Sequence, residues 1–403
     1  MSSINPAAKK AILIGSICSL SYLTVYIARN VLGAVSPQMI ETGLFNTENI
    51  GTLSSAFFIT YAVGQLINGW IGDKIKAKYM ISFGLIFAGI CNLLFSFMSG
   101  SLVAEYIFYA MSGFFLSMIY GPMTKVVAEN TEPIYTVRCS MGYEFAGLFG
   151  SPLAGILAAF LLWNLVFVAS SATLILMGCL CFAVFTVFEK KGIIEYNKYK
   201  PSVEKGGIRL LLKHQIVKFT LISILTGVIR TTVVFWMPTY ISQYLGYSSD
   251  DAAMIFTVSS LVISLTTFIA IFIYERLGRN MDLTILLSFI LSALCFFFVF
   301  LLKQPMLNII LLVLSIMASN SAATMLWSRY CPSLRDTGMV SSATGFLDFV
   351  SYMAASISST LFANAVADIG WGNLILVWFG LMVIGVAVAL PYHKFRKRTA
   401  PQS

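Results

Sequence analysis

Two arginines stand apart from the other cations of this chain. Arg29 and Arg230 lie inside long apolar stretches, and each is followed eight residues later by a proline, Pro37 and Pro238. An arginine in hydrocarbon costs about 2.5–3.5 kcal/mol on insertion scales, so a buried one normally faces a cavity and meets an anion or an acid. At about 1.5 Å per helical residue, each guanidinium sits roughly 12 Å from its proline. That is near the middle of a bilayer core about 30 Å thick. Two planar forks of donors converging on one aqueous cavity suit a phosphate or a carboxylate. The competing reading lets each arginine snorkel to the interface or pair structurally.

The neighbours favour the cavity. Tyr22, Tyr26, Arg29 and Gly33 recur at i, i+4, i+7 and i+11, one stripe of a helix. Thr226 precedes Arg230 by one turn on the same face. Two acids, Glu144 and Asp348, also fall within apolar stretches. A dianion in the same cavity would push either carboxylate toward protonation, through like charge and desolvation, which makes both candidates for proton coupling. Alternatively Glu144 pairs with Lys125 or Arg138, and Asp348 sits in a polar cluster away from the substrate.

Other chemistry finds no support. There is no nucleophile–base pair, no glycine loop to cradle a phosphate and no ATP-binding motif, so neither enzyme activity nor a cofactor is expected. The seven cysteines lack metal-ligand spacing and read as small apolar fillers. His214 and His393 lie at the ends of apolar stretches, so no metal site is expected from them.

The elements that must position the arginines are membrane helices. Of 403 residues, 58% are hydrophobic and 11% charged, where a soluble domain carries about 25% charge. Apolar runs of spanning length recur throughout. They predict an all-α integral membrane protein of twelve transmembrane helices, the first over 11–36 and the last over 372–392. The first run is too long for a cleavable signal peptide and is expected to remain. The net charge of +9 reflects topology rather than nucleic acid. Apart from Arg29, Arg230 and Lys303, every lysine and arginine lies on the side holding the N-terminus. Positive loops stay inside, so both termini are expected in the cytoplasm.

One long polar stretch, 189–213, divides a six-helix half over 1–188 from a second over 214–403. The halves correspond: Arg29, Pro37 and Ile40 map onto Arg230, Pro238 and Ile241 at a constant offset of 201. Asp73-Lys74 after span 2 is echoed by Glu275-Arg276 after span 8. Ordered matches at nearly one offset indicate two parallel repeats about an axis along the membrane normal. In span 5, Gly147, Gly150, Pro152 and Gly155 form a small-residue face suited to close helix packing. Pro122 should kink span 4.

The acid-then-base loop and its echo look like the signature of the major facilitator superfamily, over essentially the whole chain. That resemblance implies a gating role for Asp73, Lys74, Glu275 and Arg276. Within the superfamily, Tyr26-Ile-Ala-Arg29 with Pro37, and Arg230 followed by Trp236-Met-Pro238-Thr239-Tyr240, resemble the organophosphate:phosphate antiporter family. The resemblance implies that Arg29 and Arg230 bind a phosphoryl group, with Tyr22, Tyr26, Gln65 and Thr226 around it. Gln65 stands where glycerol-phosphate carriers of that family place a lysine, and Glu144 lies near the position of their histidine. These departures put the substrate in question more than the fold. Helix 2 also looks like that of the anion:cation symporters, but Ala28 replaces their aspartate. The expected function is secondary transport of an organic phosphate or related oxyanion by alternating access, in exchange for inorganic phosphate. The alternatives are a proton-coupled symporter of an organic acid and a transporter-like membrane sensor. The expected partners are a small anionic substrate and the lipid bilayer, in the cell inner membrane. A single chain suffices, so a monomer is the working expectation.

Overall fold

The computed structural model describes residues 5–72, 75–97, 101–196, 212, 214–334 and 340–390. All regular structure among them is helical. Ten helices are long and apolar enough to cross a membrane. One of these, Ala343–Ala389, runs to 47 residues, roughly 70 Å at 1.5 Å per residue and about twice a bilayer core. It holds a break at Gly370, whose φ of 74° is open to glycine but costly for any other residue. The stretch expected to be span 5 is a discontinuous pair rather than one long helix, so ten long helices do not by themselves give the expected twelve.

The first helix, α1 (Pro6–Glu41), is longer than its apolar run suggests. Asn5 caps it by accepting from the Ala7 amide at 3.0 Å, Pro6 occupies its first position, and it runs through Pro37 without ending. It is followed by α2 (Thr47–Gly72), α3 (Ala77–Phe97), α4 (Leu102–Leu116) and α5 (Tyr120–Asn130). Next come α6 (Pro133–Leu148), α7 (Gly150–Phe160) and α8 (Trp163–Lys190). Span 4 is interrupted at Ser117–Ile119, one turn before Pro122, where the missing amide and the pyrrolidine ring leave the preceding turn unsupported.

Span 7 is α9 (Ile216–Gly227), a π-helical segment Val228–Val233, and α10 (Val234–Gln243), with Arg230 on the π segment. The chain continues through α11 (Ser249–Ser264), α12 (Thr266–Arg276), α13 (Met281–Leu301) and α14 (Pro305–Met325). A second π segment, Leu326–Tyr330, leads to the short α15 (Cys331–Ser333), and α16 (Val340–Ala389) ends the described chain.

These helices form two compact units whose membership does not follow chain order. The first comprises Met1–Ser202 with Phe235–Leu261 and Ser356–Ala367. The second comprises Val203–Val234, Val262–Ala355 and Asp368–Ser403.

In the first unit, small residues let helix backbones approach, the packing mode expected where lipid removes a hydrophobic drive between helices. A Cβ at Gly89 or Gly178 would lie 2.7 Å from Ile175 or 2.6 Å from Ile86, which seats α3 against α8. A Cβ at Gly113 would lie 2.5 Å from the Phe57 carbonyl, which seats α4 on α2. Residues of α10, of 356–367 and of α11 pack against α1, α2 and α7 respectively. Ser36 and Thr239 share a hydrogen bond of 2.6 Å, and so do Ser55 and Thr360. A Cβ at Gly51 would overlap Ala363, and one at Gly155 would overlap Thr257. The small-residue face of span 5 therefore serves close packing.

The second unit is joined by polar contacts between apolar faces. Ser292 and Ser315 bond to each other across α13 and α14 at 3.0 Å. The Asn308 amide donates to the Val299 and Leu302 carbonyls at 2.8 and 2.9 Å. Ser223 and Thr232 donate to the Leu347 and Ala355 carbonyls at 2.8 and 3.0 Å, tying span 7 to α16. Large apolar side chains such as Phe160, Leu176 and Met306 are exposed on many helices. In water such surface would be a liability, and here it is the face offered to acyl chains.

Candidate functional site

Arg29 is held on α1 inside an aromatic collar. Its guanidinium carbon lies 5.3 Å from the Tyr26 ring, 5.5 Å from Phe58 and 5.6 Å from Tyr61. Phe58 and Tyr61 come from α2, and Phe57 stacks on Tyr61 with an interplanar angle of 13°. Ring faces attract a cation most strongly where water is scarce, so the collar helps to hold the charge in place. Arg29 is only partly buried.

Tyr22 extends the same stripe. Its ring is 4.9 Å from Tyr26, 5.5 Å from Tyr120 on α5 and 6.0 Å from Tyr143 on α6. Space for these rings is made by α6 and α7: a Cβ at Gly147 would lie 3.2 Å from Tyr22, and one at Gly150 would lie 2.3 Å from the Tyr26 Cβ. The stripe ends earlier than the spacing predicts. Gly33 is buried, and a Cβ there would lie 3.0 Å from the Phe235 ring and carbonyl oxygen. Gly33 is therefore a packing position.

Toward the N-terminus the stripe becomes a cleft of about 610 Å³ between α1 and α6, lined by Ile12, Gly15, Ser19, Arg138 and Gly142 among others. Ile12, Gly15 and Ser19 continue the spacing of Tyr22, Tyr26 and Arg29 along one helix face. The Arg138 guanidinium lies over the Tyr135 ring at 5.7 Å on the exposed side.

The other expected site residues are distributed as follows. Gln65 is partly buried on α2, one turn beyond Tyr61. Thr226 is buried, and its hydroxyl donates to the Ile222 carbonyl at 2.7 Å within its own helix. Arg230 is partly buried, at the centre of the π segment, where the extra backbone residue re-aims side chains relative to a regular helix. Asp348 is partly buried on α16. Glu144 lies on α6, and its side chain is outside the described residues. Asp73 and Lys74 are also outside the described residues, while Glu275 and Arg276 are exposed in the last turn of α12. Six of the seven cysteines are buried thiols, and Cys179 is exposed.

Sequence reasoning missed Phe58, Tyr61, Tyr120 and Tyr143, and it missed a cluster beyond α2. Lys76 and Lys78 each reach a different oxygen of Glu189 at 2.5 Å, joining the start of α3 to the end of α8. The Glu189 carboxylate accepting from Lys76 pushes that ammonium up from its ordinary value. Asn130 brackets the next segment, donating to the Glu195 carbonyl at 3.0 Å and accepting from its amide at 2.8 Å. Lys76 also lies 5.6 Å from the Tyr196 ring.

A collared arginine deep in a helical membrane protein fits a carrier of anions, and comparison with known proteins gives the family. Residues 18–359 match the model of the Major Facilitator Superfamily. The chain belongs to that superfamily. A family of transporters accords with the absence of any catalytic constellation in the sequence.

Among curated relatives, 96 residues are 35% identical to the Membrane sensor protein UhpC of Salmonella typhimurium, 24% of this chain and 22% of that one. Over 115 residues the chain is 39% identical to the Hexose-6-phosphate:phosphate antiporter of the same organism, 26% of this chain and 25% of that one. A longer match, 23% identical over 257 residues, joins 58% of this chain to 58% of the Glycerol-3-phosphate transporter of Bacillus subtilis. The matched stretches thus span about a quarter of the first two relatives and just over half of the third. Among solved structures, a bacterial homologue of the human lysosomal transporter Spinster, inward-facing and unoccupied, superposes with a TM-score of 0.77 at 14% identity. That match covers 96% of this chain and 97% of the other. At that identity the likeness speaks for the fold.

Proposed function

We propose that this superfamily member is a secondary transporter of an organic phosphate or related oxyanion, exchanging it for inorganic phosphate by alternating access. The observation that carries the reading is Arg29 in its aromatic collar, on the same helix face as Tyr22 and Tyr26, with Arg230 at the corresponding place in span 7. The two arginines take the phosphoryl group, with Gln65 and Thr226 beside them. Loading neutralises the arginines and lowers the barrier to closure. The halves 1–188 and 214–403 then rock about the site, with Asp73, Lys74, Glu275 and Arg276 as gating charges. Relatives named for phosphate esters support the substrate class. The protein would work in the cytoplasmic membrane, with both termini in the cytoplasm.

A second reading is favoured by the match to a membrane sensor: the same site would bind a phosphate ester and report it without transport. Reconstitution decides between them. Proteoliposomes loaded with phosphate should take up a phosphate ester; binding of that ester without uptake would favour the sensor. Uptake driven by an imposed pH gradient with no internal phosphate, and lost in Glu144→Gln or Asp348→Asn, would instead establish proton symport.

A further inference from the structure

The stripe on α1 accounts for a phosphoryl group but leaves the rest of an ester unplaced. Tyr120 opens α5 immediately after the break in span 4. Its ring lies tilted at 36° against Tyr22 and edge-on to Tyr143 at 6.3 Å. Tyr22 and Tyr143 are buried, so they fix the Tyr120 ring from behind, while Tyr120 itself keeps an accessible face.

The next residue, Gly121, differs from the other glycines of these helices. A Cβ at Gly113, Gly147 or Gly150 would meet a neighbouring helix at 2.5, 3.2 or 2.3 Å. Beyond its two chain neighbours and its own helix backbone, no heavy atom of the described residues lies within 4 Å of a Cβ built at Gly121. Lys125 stands one turn further on the same face, toward the end of the helix, and is partly buried, so that face carries a charge that favours an aqueous cavity over hydrocarbon.

We propose that the space over Gly121, walled by Tyr120, receives the organic body of the phosphate ester, and that these two residues set the size of body accepted. The assignment rests on the transport reading above and deepens it. Successive contacts of 5.5, 4.9 and 5.3 Å run from Tyr120 through Tyr22 and Tyr26 to the Arg29 guanidinium. This run of rings connects the Tyr120 wall to the arginine that takes the phosphate. Tyrosine suits this role, since its ring packs on C–H faces and its hydroxyl bonds to a substrate hydroxyl.

Gly121 allows a direct test, because a Cβ there meets no described residue beyond its own helix and chain neighbours. Gly121 precedes Pro122, where any Cβ carries a backbone cost. Gly121→Ala has that cost with only a methyl added, and serves as the control for Gly121→Leu. The full chain is reconstituted, and phosphate–phosphate exchange is measured beside uptake of glycerol 3-phosphate and glucose 6-phosphate. Glucose 6-phosphate protection against thermal unfolding is recorded in parallel. Gly121→Leu should keep phosphate exchange within about twofold and lose about tenfold or more of glucose 6-phosphate uptake, the discrimination that added bulk in a pocket can give. Glycerol 3-phosphate should be affected less, and Gly121→Ala should match the wild type. Tyr120→Phe, which keeps the ring and loses the hydroxyl, should raise KM for the esters more than for phosphate. If Gly121→Leu lowers all three substrates in parallel, or none, the size-setting role is wrong while the transport reading stands. A wild type that neither exchanges phosphate nor is protected by glucose 6-phosphate would overturn both.

Discussion

At the scale of the residue, ring faces help to hold Arg29 in position. Three aromatic rings between 5.3 and 5.6 Å surround the guanidinium, and a ring face binds a cation without blocking its in-plane donors. Lysine would keep the charge and the collar but lose the fork that meets two oxygens at once. Arg29→Lys and Arg230→Lys should therefore each cut phosphate exchange by about 10- to 100-fold, the worth of a charge-assisted hydrogen bond of about 1.5–3 kcal/mol. Expression should be unaffected. Near wild-type exchange in either variant would remove that arginine from the phosphate clamp. The arginines themselves were legible in the sequence because charge in an apolar run is rare. Phe58, Tyr61, Tyr120 and Tyr143 were not, because aromatic residues are common in membrane helices and nothing local distinguishes one that meets a distant arginine.

At the scale of the element, the discontinuities carry the information. Span 4 breaks before Pro122 and presents Tyr120, span 7 passes through a π segment at Arg230, and span 5 is split into α6 and α7. The proline break could be anticipated from chemistry, whereas the π segment could not, since no residue type encodes it. The glycines of span 5 show a further limit. Their pattern reads as close packing, yet only the fold assigns Gly150 to α1 and Gly155 to α11. At Gly150 a Cβ would meet backbone as well as side chain, at 2.6 Å from the Tyr26 carbonyl carbon and 2.8 Å from the Ile27 nitrogen. Backbone cannot rotate away, so Gly150→Ala must push α7 off α1. Overpacking of this kind costs about 1–3 kcal/mol. A lower melting temperature in detergent and weaker phosphate exchange are expected together, because the displaced residue is Tyr26. An unchanged melting temperature would contradict the packing described here.

At the scale of the whole molecule, the asymmetric distribution of lysine and arginine predicts which side of the membrane each end occupies. Lys191 is exposed just beyond α8, in the stretch expected in the cytoplasm. Lys191→Cys should react with a membrane-impermeant maleimide in inverted vesicles and not in right-side-out ones, with the wild type as control for the native thiols. Labelling from the outside would reverse the assigned topology. The same region shows why positive charge near a helix end is more than an address. Lys76 and Lys78 converge on Glu189, and Asn130 holds the backbone of Glu195, so the start of the long linker is fastened to the first unit. The Lys76 pair is solvent-exposed and contributes little stability, Lys78 is buried, and the bracketing by Asn130 defines the path of the chain here.

The amino-acid sequence by itself determined that this is a helical membrane protein of the major facilitator kind, and it singled out two arginines as the candidate site cations. Each of these conclusions follows from local quantities: the length of an apolar run, the cost of a charge within it, and a motif repeated at a fixed offset. Tertiary structure alone decided which rings collar Arg29, that Gly33 packs on Phe235, and that no described residue beyond its own helix packs on Gly121. It also decided that α10, α11 and residues 356–367 cluster with the first unit instead of with their sequence neighbours. In lipid, polar and apolar periodicity no longer separates inside from outside, since both a neighbouring helix and an acyl chain are apolar. Which face of a helix meets which neighbour is set by close packing of small residues and single hydrogen bonds, and these are properties of pairs of distant residues that no stretch of sequence contains.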